Sequence, residues 1–241
     1  MAPTVIALSL PIVYYFVLPL MFLYPTVFLS NQFLSREKLL RYYLKSYRQR
    51  AALYPVVLEL LSEKAGRIPS SADRDIVKVH IERLKSEQQV TAQELLLAKN
   101  AFQSYSLGRL SRHHLKCLCN LCSLRTMFMP GFLLRRKLNK NIALIQAMDH
   151  SIKKEGISTL DCLDVEKLCY ERGLNVLHAD KSEMGAWLEQ WVELSTKTND
   201  SDHSFVAHCT ALLVVGHPSC HRLHDIPSET PKNEEADSKK D

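Results

Sequence analysis

Residues 111–123, SRHHLKCLCNLCS, hold two histidines and three cysteines within thirteen positions. Imidazole and thiolate are ligands that zinc takes in structural sites, four to an ion in a tetrahedron. Spacing decides whether they can converge. On a helix advancing about 100° per residue, His113 and Cys117 share one face, while Cys119 and Cys122 share another roughly 190° away. One helix cannot close a tetrahedron from opposite faces, and the strands and knuckles of structural zinc sites have no counterpart here. A two-ligand contribution completed by HPSCHRLH near the C-terminus is the metal arrangement that remains. Cysteine as a small buried apolar side chain fits the pattern better. The expectation is a structural helix, with no metal and no cofactor.

The outer side of the same helix offers different chemistry. Arg112 and Lys116 are four apart, His113 and Asn120 lie beside them, and Leu118 and Leu121 lie opposite. That pattern is an amphipathic helix with a basic face. Its surroundings extend the theme. Residues 95–148 contain no Asp or Glu, yet hold Lys99, Arg109, Arg112, Lys116, Arg125, Arg135, Arg136, Lys137 and Lys140. The segment carries +9 and the remainder −4, so a net charge of +5 conceals a one-signed block. Such a surface suits a polyanion, RNA or anionic lipid head groups, attracted by counterion release without base readout. Arg109, Arg112, Lys116, Arg125, Arg135, Arg136, Lys137 and Lys140 are the candidate contacts. Arg135 has a second possible role, pairing with Asp149 or Glu155 to hold two helices together. Tyr105, Phe128 and Phe132 interleave with the bases, but no single-strand RNA motif accompanies them, so they are expected in the core. Trp187 and Trp191, at helical spacing, are expected there too.

Catalytic patterns are missing. The sequence has no Gly-rich phosphate loop, nucleophile elbow, helical His-x-x-x-His or calcium loop, which argues against an enzyme. Seven cysteines are an odd number without framework spacing, as in a reducing compartment.

The elements that must position these residues are helical. Only 7 glycines in 241 residues leave few tight turns. Ser35 is placed to cap a helix running to about Tyr54, Pro55 to open the next, and Gly66 with Pro69 to close it. Thr91-x-x-Glu94 and Asp180-x-x-Glu183 are capping boxes, Ser111 and Asp161 are N-caps, and Gly173 is a helix stop. Leu138, Ile142, Ile145 and Ile152 keep one face until Gly156. A final apolar stretch, residues 205–215, precedes a polar tail from His217 that reads as disordered. No period-two run marks a strand.

Ahead of all this, residues 5–29 form an uncharged run of 25, long enough to span a bilayer. The run is too long for a secretory signal and lacks a basic leader and a small-residue cleavage site. Arg36, Lys38, Arg41, Lys45, Arg48 and Arg50 follow it against Glu37 alone, which places the C-terminal bulk on the cytosolic or matrix side. Only Met1–Thr4 precede the run, so the chain reads as a shortened version of something longer.

Several stretches resemble the LETM domain, named for the leucine-zipper/EF-hand transmembrane proteins of mitochondria. YPTVFLSNQF resembles that family's membrane exit. LGRLSRHHLKCLCNL and PGFLLRRKLNKNIALIQAMDHSIKKEGISTL resemble its Leu-rich helix and its Leu-Arg-x-x-Leu…Asp-x-x-Ile-x-x-Glu-Gly…Leu run. LCYERGL is similar to its Cys-x-x-Arg-Gly element, and LEQWVEL to its Leu-x-x-Trp-Leu-x-Leu element. The matching positions are Leu134, Arg135, Leu138, Asp149, Ile152, Glu155, Gly156, Cys169, Arg172, Gly173, Trp191 and Leu194. The family's shorter animal members look most similar, because the calcium loop and coiled coil of the longer ones are missing.

The resemblance implies an all-α protein with an N-terminal transmembrane helix and a multi-helix, ribosome-binding-type domain. The implied organisation is an anchor over 1–34, membrane-proximal helices over 35–103, the LETM-like core over 104–216 and the tail over 217–241. It further implies a mitochondrial inner-membrane protein facing the matrix, with the mitochondrial ribosome (rRNA or a ribosomal protein), membrane lipid and a second copy of the chain as partners. Roles in respiratory-chain biogenesis and organelle structure follow from it. Two alternatives accompany that reading: a part in potassium/proton or calcium/proton exchange, and a cardiolipin-binding, membrane-shaping adaptor. Longer members carry an acid in the membrane segment and residues 5–29 do not, which weakens intrinsic transport.

Overall fold

The computed structural model describes residues 36–199 and 202–221, and every regular element among them is helical. The membrane-length run 5–29 and the expected cap Ser35 lie outside the described residues. Among those that are described, no helix is long and apolar enough to cross a membrane. The chain divides into two units, Met1–Tyr47 and Arg48–Asp241. Helix α1, Arg36–Ala51, begins in the first unit, where Tyr43 and Tyr47 are its buried rings.

The second unit continues through α2 (Tyr54–Ala65), α3 (Ser71–Lys85), α4 (Ala92–Leu97), two 3₁₀ turns (Lys99–Tyr105 and Leu107–Arg109), α5 (Arg112–Leu121), α6 (Gly131–Glu155), α7 (Cys162–Glu171), α8 (Lys181–Thr196), α9 (His203–Val215) and α10 (Pro218–His221). The helix expected to reach Tyr54 stops at Ala51. A turn closed by Leu53 N–H on the Arg50 carbonyl, 2.9 Å, resets the chain before Pro55 opens α2. That ring lacks only an N–H that a first turn leaves unbonded.

Capping chemistry sets the other boundaries. Thr91 and Glu94 satisfy each other's backbone N–H groups at the start of α4, and Asp180 and Glu183 do the same for α8. Ser111 accepts from His114 N–H to open α5. Asp161 caps α7 by a shorter route, accepting from Cys162 N–H at 2.7 Å. The C-terminus of α7 is a Schellman motif: Leu174 N–H reaches the Cys169 carbonyl and Gly173 N–H the Tyr170 carbonyl.

Helix α6 is the frame. Twenty-five residues make it about 37 Å long. It packs on α5, α8 and α9. Helix α9 is apolar nearly all round and buried at every one of its thirteen positions. A helix without a polar face belongs inside a domain, and α9 packs against α2, α5, α6 and the first 3₁₀ turn. Two glycines permit its close neighbours. A Cβ on Gly173, which sits at φ +110°, would lie 2.9 Å from the Thr210 carbonyl oxygen. One on Gly216 would lie 2.6 Å from Gln89 Cα. The chain stays ordered past the expected edge of the tail. His217 and Ser219 are buried, and Asn175 Nδ2 donates to the Ser219 carbonyl at 2.8 Å.

Candidate polyanion interface and the joint behind it

Helix α5 presents Arg112, His113 and Lys116 to water and buries Leu115, Leu118 and Leu121, as its pattern predicts. Its cysteines face inward. Cys119 Sγ–H donates to the Leu134 carbonyl at 3.7 Å, while Cys117 Sγ lies 3.9 Å from His113 Nε2. Burial pushes the Cys119 thiol up to about 11 and Cys122 to about 12, so both are protonated, uncharged fillers. Among the described residues no three His, Cys, Asp or Glu side chains gather as metal ligands would.

The eight candidate bases do not stand alike. Arg109, Lys116, Arg125, Arg136 and Lys140 are exposed. Arg112 is exposed but engaged: its Nε and Nη2 donate to the Met129 carbonyl at 3.2 and 3.1 Å. Lys137 Nζ donates to the Arg125 carbonyl at 2.9 Å. These two cations tie down the α5–α6 connection from either side. Arg135 is half-buried, with its Nε shielded from water and lacking a hydrogen-bond partner among the described residues. It does not pair with Asp149, which lies fourteen residues along the same helix, about 21 Å away. Nor does it form an ion pair with Glu155 among the described residues.

The aromatics divide as well. Tyr105 is core, its hydroxyl donating to the Leu61 carbonyl at 2.8 Å. Phe128 and Phe132 are not: they stand 92% and 64% exposed. They were expected in the core, but they fall at the mouth of α6, where none of the described residues buries them. One cation from outside the acid-free block joins its edge. Lys64 Nζ donates to the Arg109 carbonyl at 2.6 Å, and burial, with Arg67 and Arg109 nearby, lowers its pKa. The packing of α2 on α5 brings it there, and no local signal announces it.

Farther along α6 lies a buried ionic joint. Asp149 on α6 and Arg172 at the end of α7 are both 0% exposed. Arg172 Nε and Nη2 both donate to Asp149 Oδ1, the former at 2.9 Å, and Nη1 donates to the Leu168 carbonyl at 2.9 Å. Trp191 Nε1–H on α8 donates to Asp149 Oδ2 at 2.9 Å. Three helices therefore meet on one carboxylate, and each charged atom at the junction has its partner. A second buried guanidinium is Arg50, one of the bases counted after the apolar run 5–29. It donates to the Tyr170 carbonyl and to Ser123 Oγ, each at 2.8 Å, and lies 4.5 Å over the Tyr170 ring. Both acceptors sit at helix C-termini, where the macrodipole favours a cation.

The third buried polar contact is a histidine pair. His208 Nδ1–H donates to the Ser204 carbonyl at 2.6 Å, so its Nε2 lone pair accepts from His114 Nε2–H, 3.0 Å away. Burial above all, with Lys64 adding to it, lowers the His208 pKa to about 4 against a smaller upward pull from that carbonyl. Burial, then His208, Lys64 and His113, lowers that of His114 to about 2.

The positions quoted for the family resemblance collect around this joint. Asp149, Arg172 and Trp191 form it, while Leu134, Leu138, Ile152, Cys169 and Leu194 are buried beside it or along α6. The chain is similar to LETM1 domain-containing protein 1 of Xenopus tropicalis, 30% identical over 220 residues that cover 88% of this chain and 61% of that protein. The human protein of the same name is 25% identical over 205 residues, 84% of this chain and 57% of its own. The chain thus spans about three-fifths of the length of these relatives. A mitochondrial proton/calcium exchanger protein of Drosophila melanogaster is 30% identical over 98 residues, 41% of this chain and 10% of that one. The family described as "LETM1-like, RBD" matches residues 1–212, which contain the joint, the basic face and the helices that carry them: the chain belongs to that family.

Proposed function

We propose that the chain is a non-catalytic, membrane-tethered module that docks on the mitochondrial ribosome through its basic face and so supports respiratory-chain biogenesis. The observation that carries this reading is the set of exposed cations Arg109, Lys116, Arg125, Arg136 and Lys140, in a stretch of sequence free of acids. Ribosomal RNA presents phosphates at high density, and such a set binds them by releasing counterions. "RBD" in the family's description, taken as ribosome-binding domain, names the same partner. The proposed location, a mitochondrial inner membrane with this domain on the matrix side, rests on the family and on the bases that follow residues 5–29. A part in cation/proton exchange draws on a Drosophila relative matched over 41% of this chain, and no acid lies within residues 5–29 to relay a proton.

The test is co-sedimentation of the full chain with mitochondrial ribosomes at two salt concentrations. Five phosphate contacts make binding fall on the order of 10²–10³-fold between 50 and 200 mM salt, and naked rRNA competes. Absence of binding at low salt, or binding indifferent to salt, removes the reading.

A further inference from the structure

The α5–α6 connection carries more than bases. Residues 127–133 read MFMPGFL, and Met127 is 78% exposed, Phe128 92%, Phe132 64% and Leu133 39%. Scattered exposed apolar side chains are ordinary, whereas four at one corner mark a contact. Phe128 sits at φ +54°, a region that bulky residues avoid. The corner is nonetheless fixed. Arg112 holds the Met129 carbonyl, Thr126 Oγ1 donates to Asn120 Oδ1 at 3.0 Å, and Lys137 holds the Arg125 carbonyl. Ser123 and Leu124 start the connection with a Schellman stop on α5, donating to the Asn120 and Cys119 carbonyls. The fold therefore presents an aromatic ring outward on a pinned and locally strained support.

What surrounds the corner says what it meets. Phe132, Arg136 and Lys140 are four apart on one stripe of α6, all exposed. Arg136 stands about 6 Å and Lys140 about 12 Å along the axis from Phe132. Apolar groups lead and cations follow, the order in which a bilayer presents acyl boundary, phosphates and water. Amphipathic elements settle their apolar part roughly 5–10 Å into that boundary, a depth matching this spacing. Met127 and Leu133 have no π-face, which sets the corner apart from a platform for stacking bases. Residues 5–29, apolar and long enough to span, would keep a bilayer at high effective concentration.

We propose that Met127, Phe128, Phe132 and Leu133 insert into the surface of an anionic lipid bilayer, with Arg136 and Lys140 on its phosphates. This contact shares Arg136 and Lys140 with the proposed ribosome docking and differs from it in depending on apolar side chains that phosphate binding does not use.

The test uses the full chain carrying Phe128→Trp, reconstituted in vesicles of phosphatidylcholine alone or mixed with phosphatidylglycerol. Trp187 and Trp191 are buried and supply a constant background. In anionic vesicles the new tryptophan should emit at shorter wavelength and be quenched by brominated acyl chains. Adding Phe132→Ser should cut the quenched fraction by roughly tenfold, while thermal melting stays unchanged because both sites are exposed. Water-like, unquenched emission in anionic vesicles overturns the inference. Equal quenching in neutral vesicles does too, since the cations would then contribute nothing. Protection that appears only on adding mitochondrial ribosomes overturns it in favour of the ribosome as occupant. Ribosome co-sedimentation of the same variant separates the two readings: binding retained without lipid quenching removes this inference alone, and lipid quenching without ribosome binding removes the other alone.

Discussion

Arg172 and Arg136 both bear on α6 and carry the same charge, in opposite surroundings. Arg172 is enclosed, with Asp149 Oδ1 and the Leu168 carbonyl as acceptors, and it joins α7 to α6 while Trp191 brings in α8. Arg136 faces water on a stripe with Lys140. Most of the positions that mark the family belong to the first kind: Leu134, Leu138, Asp149, Ile152, Cys169, Arg172, Trp191 and Leu194 are all buried. The exposed cations Arg109, Lys116, Arg125, Arg136 and Lys140 lie outside that set. These family positions thus describe how the helices are locked together, and the recognition proposed above uses residues outside them.

Breaking the enclosed side should have the largest effect. Asp149→Ala leaves the Arg172 guanidinium buried without its carboxylate, and it should cost about 3–5 kcal/mol of stability in denaturant titration. Asp149→Ala combined with Arg172→Met should cost clearly less than the sum of the two single changes, because the second substitution removes the stranded charge.

Acid should act next, through the histidine pair. Both folded pKa values lie below the ordinary 6.5, at about 4 for His208 and about 2 for His114. Below pH 6.5 the unfolded chain therefore binds protons that the folded chain refuses. Stability is full above that pH and falls as pH drops from 6.5 toward 4, by about 1.4 kcal/mol per unit for each neutral histidine. Melting temperatures from pH 7 to 5 check this, and His114→Leu should flatten the slope.

Gly173→Ala is the third step. At φ +110° and 2.9 Å from the Thr210 carbonyl oxygen, a methyl group has neither the backbone nor the room. A loss of about 1–3 kcal/mol is expected for the strain, with α9 shifted away from the α7 turn.

The exposed side should barely register in stability. Lys116→Glu or Lys140→Glu should change it by no more than about 0.5 kcal/mol. Arg112 differs from its neighbours. Arg112→Glu removes the two hydrogen bonds to Met129 and loosens the connection, so its effect on binding mixes charge with shape. Arg135, half-buried, should lower the melting temperature when changed to Glu.

Local chemistry made much of this fold legible. The two capping boxes, the Ser111 cap and the Gly173 stop each depend on residues a few positions apart, and the structure places all four as the spacing indicates. The outward bases of α5 follow from its period, whereas its cysteines are all buried although that period sets Cys117 opposite Cys119 and Cys122. The joint was not legible as a joint. Its members are 23 and 42 residues from Asp149, and each appeared only inside a separate motif. Arg50 was likewise grouped with its neighbours in sequence, whereas packing decides where its charge and that of Lys64 go. Phe128 and Phe132 mislead for the converse reason: an aromatic ring without a recognition motif is apolar surface to hide, but that does not supply a cover for it. Helix α9 gave no face to read, because it is buried at all thirteen positions, its few polar side chains included.

On the proposed reading, the enclosed cations hold the domain together while the exposed ones bind. Its most direct test is the triple reversal Lys116→Glu, Arg136→Glu, Lys140→Glu in the full chain, with melting temperature and salt-resolved ribosome co-sedimentation measured on the same preparation. The predicted result is a near-parental melting temperature with ribosome binding reduced on the order of a hundredfold or more at 50 mM salt, since three contacts become repulsions. Parental ribosome binding with the parental salt slope would contradict the claim.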